Sequence, residues 1–295
     1  MIIAVTGATG SIGKELVPFL KKLGHKVIKI SSSIVNHDQY IFSYDDYRNG
    51  RITCEIEMVI HLASYNSSLD EKNYHNEIQL TEDIVNGLSF INCKRLIFFS
   101  TGKVYGDNSF SFSQYDESSS LNPLCQYSKA KRECEELILQ KSKDLKFQSI
   151  IFRLAPMLNQ SSGSSLGKLM KIASLGIPLP SLELGDHNQR SFISFNNLMT
   201  VIESIIHNSD NFFNNEIYNL CDDEYISLNN LLRQNKKTFV IKIPQGISKI
   251  LLKNIFFKNF LLRLYGNFVL TNEKLKRDMS VKLKTTAGSL PILYK

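Results

Sequence analysis

The sequence predicts an α/β fold, a doubly wound parallel sheet followed by a smaller and mostly helical C-terminal unit. Three observations point there. A glycine-rich turn, Thr6–Gly13 (TGATGSIG), joins a β-branched apolar run to a helix-patterned one. Short continuous apolar stretches recur at Glu57–Leu62 and Arg95–Phe99, as expected for strands covered on both faces. Helix-periodic segments separate them, and strands that alternate with helices wind into a parallel sheet.

Taken in order, Ile2–Val5 is the first strand. Lys14–Leu23 is helical through Leu16, Val17, Phe19, Leu20 and Leu23, Gly24 stops it, and Lys26–Ile30 is the second strand. Gly7 and Gly10 permit a tight turn and a close backbone approach, and Gly13 lets the helix pack near the strand. The helix N-terminus then offers free N–H groups to a pyrophosphate. The spacing is Gly-x-x-Gly-x-x-Gly rather than Gly-x-Gly-x-x-Gly. Set between strand and helix, Gly7, Thr9, Gly10, Ser11, Ile12 and Gly13 read as dinucleotide ligands in preference to a bare structural turn. An acid at the end of the second strand would hold the ribose 2′-hydroxyl of NAD and repel the 2′-phosphate of NADP. Here the strand runs into Ser31-Ser32-Ser33, and the first acid is Asp38. Ser31, with Lys29 close by, favours NADP(H), with NAD(H) as the alternative.

Ligands of such sheets sit beyond the strand C-terminal ends. Leu62 ends one strand, Ala63 and Ser64 follow it and Thr101 follows another, with a helix over Asn76–Leu88 between them, so these residues and the glycine turn should line one crevice. Twenty-six residues after Thr101 comes Tyr127-Ser128-Lys129-Ala130-Lys131, opening a charged helix that continues to about Gln140. Tyr127 and Lys131 share one helix face. A free tyrosine titrates near ~10, and a lysine ammonium beside it favours the phenolate. A Thr101 hydroxyl could bond the same substrate oxygen. The bland reading is a surface helix with a coincidental Tyr and Lys. The ordered combination of glycine turn, Thr101 and Tyr-x-x-x-Lys favours an acid–base set.

TGATGSIG, VIHLAS at 59–64, FFSTGKVYG at 98–106 and YSKAK at 127–131 resemble the extended short-chain dehydrogenase/reductase family, in its nucleotide-sugar epimerase, dehydratase and reductase branch. The likeness continues through IIFRLAP at 150–156, GDHNQRSFISFNNL at 185–198, IYNLCDDEYISLNNLL at 217–232 and LYGNFVLTNEKLKRDM at 264–279. It implies a Rossmann domain over residues 1–158 carrying NAD(H) or NADP(H). It also implies a domain over 159–295 that grips a nucleotide-diphosphate sugar, part of it returning to the sheet. By the same resemblance Tyr127 is the acid–base, Lys131 holds the cofactor ribose and tunes the tyrosine, and Thr101 takes the Ser/Thr role. Asp45 corresponds to the acid that meets the adenine, and Arg190 to the arginine on the substrate diphosphate, a task suited to a guanidinium. Lys103 either adds charge beside the substrate or is a solvated loop lysine. A homodimer is the analogy the branch supplies.

Departures narrow the chemistry. Gly102 and Lys103 stand where dehydratases carry Asp-Glu, which argues against 4,6-dehydration. Hydride chemistry at a sugar carbon remains. The missing acid after the second strand, the chain length and Pro156 in place of a frequent Asn favour NADPH-dependent reduction of a nucleotide-linked 4-keto-6-deoxyhexose, in deoxysugar synthesis for a surface polysaccharide. An NAD-dependent nucleotide-sugar 4-epimerase is the alternative. A non-catalytic dinucleotide-binding sensor or scaffold is the second, and the complete Thr101, Tyr127 and Lys131 set speaks against it. Ser280-Val281 replaces a frequent Gly-Trp.

The net charge of +7 is uneven: residues 236–295 hold thirteen Lys/Arg and two acids. Ile247–Asn267 patterns as a basic amphipathic helix, read as packing on its own core rather than on lipid. Aromatics do not alternate with the basic residues, which disfavours nucleic acid. Five scattered cysteines without a C-x-x-C pair suit reduced thiols rather than disulfides or a metal site. Neither a signal peptide nor a membrane span is visible, so a cytoplasmic location is expected. Ser161–Ser165 reads as a lid or linker, and Ser191–Phe195 and Phe239–Ile243 as strand-like.

Overall fold

The computed structural model describes residues 1–32, 40–65, 71–112, 114–158, 188–227 and 265–289, with residues 172, 175–176, 179–182, 230, 240–244, 246 and 262 besides. Ser33, Asp38, the Ser161–Ser165 segment and most of Ile247–Asn267 lie outside the described residues.

Seven strands form the main sheet: β1 (Ile2–Thr6), β2 (Lys26–Ser31), β3 (Ile41–Ser43), β4 (Met58–His61), β5 (Arg95–Thr101), β7 (Gln148–Leu154) and β10 (Glu216–Leu220), in the order β10-β7-β5-β4-β1-β2-β3. β1 pairs with both β2 and β4 in parallel, and the β2–β3 and β4–β5 ladders are parallel too. β1 is apolar because both its faces are covered: Ile3, Ala4 and Val5 are fully buried, as are Met58, Val59 and Ile60 opposite them. The chain runs outward one way through β2 and β3 and the other way through β4 and β5. The order therefore reverses between β1 and β4, where a crevice opens outside the strand ends. That topological fact places the site.

The helices of the first part are α1 (Gly13–Lys22), α2 (Tyr44–Arg48), α3 (Glu71–Phe90) and α4 (Gln126–Leu145). The last begins with the Tyr-x-x-x-Lys segment and runs one turn past the predicted end. α2 is only five residues long and depends on its ends. Ser43 accepts the Asp46 N–H at 3.0 Å while Asp46 accepts the Ser43 N–H at 3.1 Å, a reciprocal capping box. α2 inserts Tyr47 against α3, its ring fully buried and its hydroxyl donating to the Ile84 carbonyl at 2.8 Å. Gly87 makes room for that ring.

The chain divides into two compact units. One comprises Met1–Val104, Leu121–Arg153 and Ile202–Tyr218, the other Tyr105–Ser120, Leu154–Val201 and Asn219–Lys295. Three strand pairs belong to the second: β9 (Gln189–Arg190) with β11 (Ile226–Ser227), β8 (Leu179–Leu182) with β12 (Val240–Ile243), and β6 (Gln114–Tyr115) with β13 (Val269–Leu270). The strand-like reading of Ser191–Phe195 is corrected. The strand ends at Arg190, Ile193 makes an isolated bridge to Met157, and Phe195 opens α5 (Phe195–His207). Buried Asp222 turns the chain there. It accepts from the Ser194 N–H and hydroxyl, each at 2.9 Å, from Asn197 at 2.6 Å and from Thr286 at 3.0 Å, while the Ser194 carbonyl starts the helix. The remaining helices are α6 (Ser209–Phe212), α7 (Glu273–Met279) and α8 (Thr286–Ser289). All five cysteines are free thiols. Among the described residues no helix is long and apolar enough to cross a membrane.

A methyl group on Gly87 would lie 2.7 Å from Cδ1 and 2.9 Å from Cζ of the enclosed Tyr47 ring. Gly87→Ala is expected to destabilise the fold by about 1–3 kcal/mol through overpacking, against the ~1 kcal/mol that alanine adds to helix propensity. The check is a lower urea midpoint with an unchanged m-value.

Candidate functional site

The glycine turn leaves β1 with Gly7 in the left-handed region, φ +64°. A Cβ there would lie 2.6 Å from the Ala63 nitrogen, so the turn and the end of β4 touch backbone to backbone. The Gly10 N–H closes the turn on the Gly7 carbonyl at 3.0 Å. A Cβ on Gly13 would fall 2.6 Å from the Ala8 Cα, so only glycine lets α1 start this close to β1. The N-cap position is Ile12, whose side chain makes no capping bond, and within the first turn the Lys14 N–H donates to the Gly10 carbonyl at 3.0 Å and the Glu15 N–H to the Ile12 carbonyl at 3.2 Å. Thr9, Gly10 and Ser11 are exposed at this mouth. A glycine-lined turn at the positive end of a helix dipole fits the pyrophosphate of a dinucleotide. Tyr44 reaches the same turn from α2 through a hydrogen bond with the Gly7 main chain, and burial pushes its phenol up to about 12.

Beneath the crevice runs a chain of hydrogen bonds. The Ala63 N–H donates to Thr6 Oγ at 3.1 Å, and Thr6 stands 2.7 Å from His61 Nδ1. His61 Nε2 stands 3.4 Å from Thr81 Oγ, and the Thr81 hydroxyl donates to the Glu77 carbonyl at 3.0 Å. Because the Thr81 proton is committed to that carbonyl, its oxygen accepts, which assigns the His61 proton to Nε2. His61 is buried. Burial, and then the charge of Lys131, lower its pKa to about 3.

Lys131 rises from α4 into the sheet. Its Nζ donates to the Phe99 carbonyl at 3.1 Å, lies 2.8 Å from Glu77 Oε1 and sits 4.6 Å from the Phe98 ring centroid. Both charges are sealed, with Lys131 2 % and Glu77 1 % exposed. Glu77 also accepts the Ser64 hydroxyl at 2.9 Å and the Tyr65 N–H at 2.7 Å. Burial opposes the charge on Lys131, but Glu77 and then Tyr127 outweigh it and hold its pKa above the usual lysine value. For Tyr127 the outcome differs from the sequence-based expectation. Burial pushes its phenol above the ordinary value, Lys131 pulls it back, and Glu77 pushes it up again. The ammonium is in place, yet desolvation outweighs it.

The structure thus links Gly7, Ala63, Ser64 and Lys131 into one continuous set, through Thr6 and Glu77, with Tyr127 one helical turn from Lys131 on α4. Leu62 continues the β4 end, its carbonyl carbon 2.9 Å from a Gly7 Cβ. Thr101 closes β5 two residues beyond the carbonyl that Lys131 holds, half-buried, its Oγ accepting the Lys103 N–H at 3.3 Å. The other candidates have surroundings of their own. Lys103 is exposed on a short 3-10 turn, Gly102–Tyr105. Asp45 is exposed in the first turn of α2, 3.8 Å from Arg48. Ser31 ends β2 in register with Ser43. Arg190 belongs to the second unit, where it donates to the Gly266 carbonyl at 3.0 Å and the Leu262 carbonyl at 3.3 Å; burial lowers its pKa to about 10. Glu77, His61 and Tyr44 were missed. Glu77 and Thr81 fall on the stripe of α3 that buries Ile84, Val85 and Leu88, and polar residues on an apolar stripe are the signal that could have found them.

A glycine cradle at the switch point of a parallel sheet, with a lysine-backed tyrosine on the neighbouring helix, defines the Rossmann-type dinucleotide enzymes as a class. Within it, the chain belongs to the NAD dependent epimerase/dehydratase family, whose profile matches residues 3–221. It is 24% identical over 265 residues to a UDP-glucose 4-epimerase of Vibrio cholerae, spanning 82% of this chain and 78% of that one. Its fold is similar to that of the UDP-N-acetylglucosamine 4-epimerase from Bacillus cereus (TM-score 0.77, 18% identity, 100% of this chain and 98% of that chain). It also resembles a short-chain dehydrogenase/reductase superfamily protein from Agrobacterium tumefaciens with bound NAD (TM-score 0.74, 16% identity, 100% and 95%).

His61 supplies a pH test. Its pKa is lowered to about 3 in the fold and returns to ~6.5 on unfolding, so below that value the unfolded chain binds the extra proton. Its contribution to stability is therefore complete above pH ~6.5 and falls by roughly 1 kcal/mol per pH unit on acidification toward pH ~3. Urea midpoints of wild type and His61→Gln, measured across this window, should differ in slope, with the shallower limb in the variant.

Proposed function

We propose that this protein is a nucleotide-sugar 4-epimerase that works with tightly held NAD(H). The observation that carries the reading is the continuous set from Gly7 through Ala63, Ser64 and Glu77 to Lys131, with Tyr127 one helical turn away on α4 and Thr101 at the end of β5. The named epimerases among the similar proteins and the NAD in the Agrobacterium structure support it over the reductase favoured by sequence reasoning alone. When bound, the dinucleotide supplies a hydride acceptor and donor. Gly7, Thr9, Gly10, Ser11, Ile12 and Gly13 would hold its pyrophosphate, and Leu62, Ala63 and Ser64 the wall opposite. Asp45 is proposed for the adenine and Ser31 for the adenosine ribose.

Tyr127 takes the proton from the sugar 4-hydroxyl and returns it to the 4-oxygen after the keto sugar has presented its other face. Lys131 stabilises the phenolate this requires and offers its remaining N–H to the nicotinamide ribose. Thr101 orients the same oxygen by a hydrogen bond. Arg190 is the proposed partner of the substrate diphosphate, its guanidinium steadied by two main-chain carbonyls.

NADPH-dependent reduction of a 4-keto-6-deoxy nucleotide sugar is the second reading. Ser31 favours it, because the described end of β2, Ser31-Ser32, carries no acid to exclude a 2′-phosphate. The two part cleanly: an epimerase retains NAD through purification and equilibrates UDP-glucose with UDP-galactose, whereas a reductase consumes NADPH with the keto sugar. A protein that binds the dinucleotide and turns over neither would be a sensor or scaffold. In the active direction Tyr127→Phe should lower kcat by about 10²–10⁴-fold with dinucleotide affinity within a few-fold of wild type. Wild-type turnover in that variant removes the assignment.

A further inference from the structure

The Lys131–Glu77 pair joins two helices inside a largely apolar interface, where Ile84, Val85, Leu88, Ala130 and Ile138 are buried. Stability alone is a poor reason for it, since a buried ion pair is often no better than apolar residues of the same shape. Its geometry offers a better one. The Glu77 carboxylate takes three donors: Lys131 Nζ and the Ser64 hydroxyl on Oε1, and the Tyr65 N–H on Oε2. Two of those donors belong to the turn after β4, next to the backbone contact with Gly7. The third belongs to the lysine one helical turn from Tyr127. Of the three N–H groups on that ammonium, Glu77 takes one and the Phe99 carbonyl another, which leaves the third direction defined.

We propose that Glu77 is a positioning residue for the reaction: its carboxylate keeps Lys131 charged and aimed, and ties the same ammonium to the turn that walls the dinucleotide crevice. This rests on the acid–base reading of Tyr127 and Lys131. Glu77 is sealed beneath the site and acts through the lysine. The groups that face Lys131 from each packed element are Glu77 on α3, Tyr127 and Cys134 on α4, and His61 on β4, with the Phe98 ring and Phe99 carbonyl of β5. His61 is neutral at working pH and the cysteine a thiol, so the carboxylate is the counter-charge that sustains the ammonium. Without it, desolvation governs and the lysine gives up its proton more readily.

The test is the titration of Lys131 itself, followed by NMR of protein labelled with ¹³C at lysine Cε and assigned through Lys131→Met. Glu77→Gln should bring the Lys131 titration down by about one unit or more. It should also lower kcat about tenfold and add an alkaline limb to its pH profile that the wild type lacks, with the sugar KM within about twofold. Glu77→Asp, which retains the charge, should keep the wild-type titration and recover part of kcat. If Gln does not fold, Asp and wild type still decide: a wild-type Lys131 titrating below the ordinary lysine value overturns the proposal. So does a Gln variant whose Lys131 titrates as in wild type, or one that loses only thermal stability. Because the titration is read without substrate, an absence of epimerase or reductase turnover would bear on the proposed activity and leave the Glu77 result standing.

Discussion

The close approach of Gly7 to the Ala63 backbone is the constraint on which this site depends. β1 and β4 are adjacent at the point where strand order reverses, and the chain must leave both strands within one crevice. A side chain at Gly7 would strike the Ala63 nitrogen, and a left-handed backbone there suits glycine alone. Given that contact, Thr6 can receive the Ala63 N–H, His61 can receive the Thr6 proton, and the turn after β4 comes within reach of Glu77. The glycine turn and the Lys131–Glu77 pair are joined by one hydrogen-bonded arrangement.

Burial decides the electrostatics of that arrangement. A lysine with both its charge and its counter-charge sealed from solvent acts on its neighbours through a low-dielectric medium, so pairwise effects are large and opposed. Lys131 alone would draw the Tyr127 phenol down, but Glu77 and desolvation act the other way. Burial therefore holds the phenol above its ordinary value.

Much of this was legible in the chain. Short apolar runs located β1, β2, β4 and β5 because strands covered on both faces tolerate few other residues. The Gly-x-x-Gly-x-x-Gly turn and Tyr-x-x-x-Lys placed the crevice because backbone proximity and helix spacing are local properties. What escaped is non-local. Glu77 was not singled out, since its meaning comes from a lysine far along the sequence. Ser191–Phe195 looked extended because its residues are apolar, while the bend into α5 is imposed by Asp222, which approaches from another segment. The sign of the Tyr127 shift escaped for the same reason, as desolvation is a property of the packed whole.

The return of β10 beside β7 carries a practical consequence. Ser149 donates its N–H to Asn215 at 2.8 Å, and Phe152 packs against Tyr218 with ring centroids 6.3 Å apart, so the outer side of β7 is closed by chain that arrives some sixty residues later. An excised N-terminal half would carry every glycine of the cradle and both members of the Tyr127–Lys131 pair. It would also present a bare, apolar strand rim able to recruit another copy of itself. The later chain thus serves as the cover of that rim.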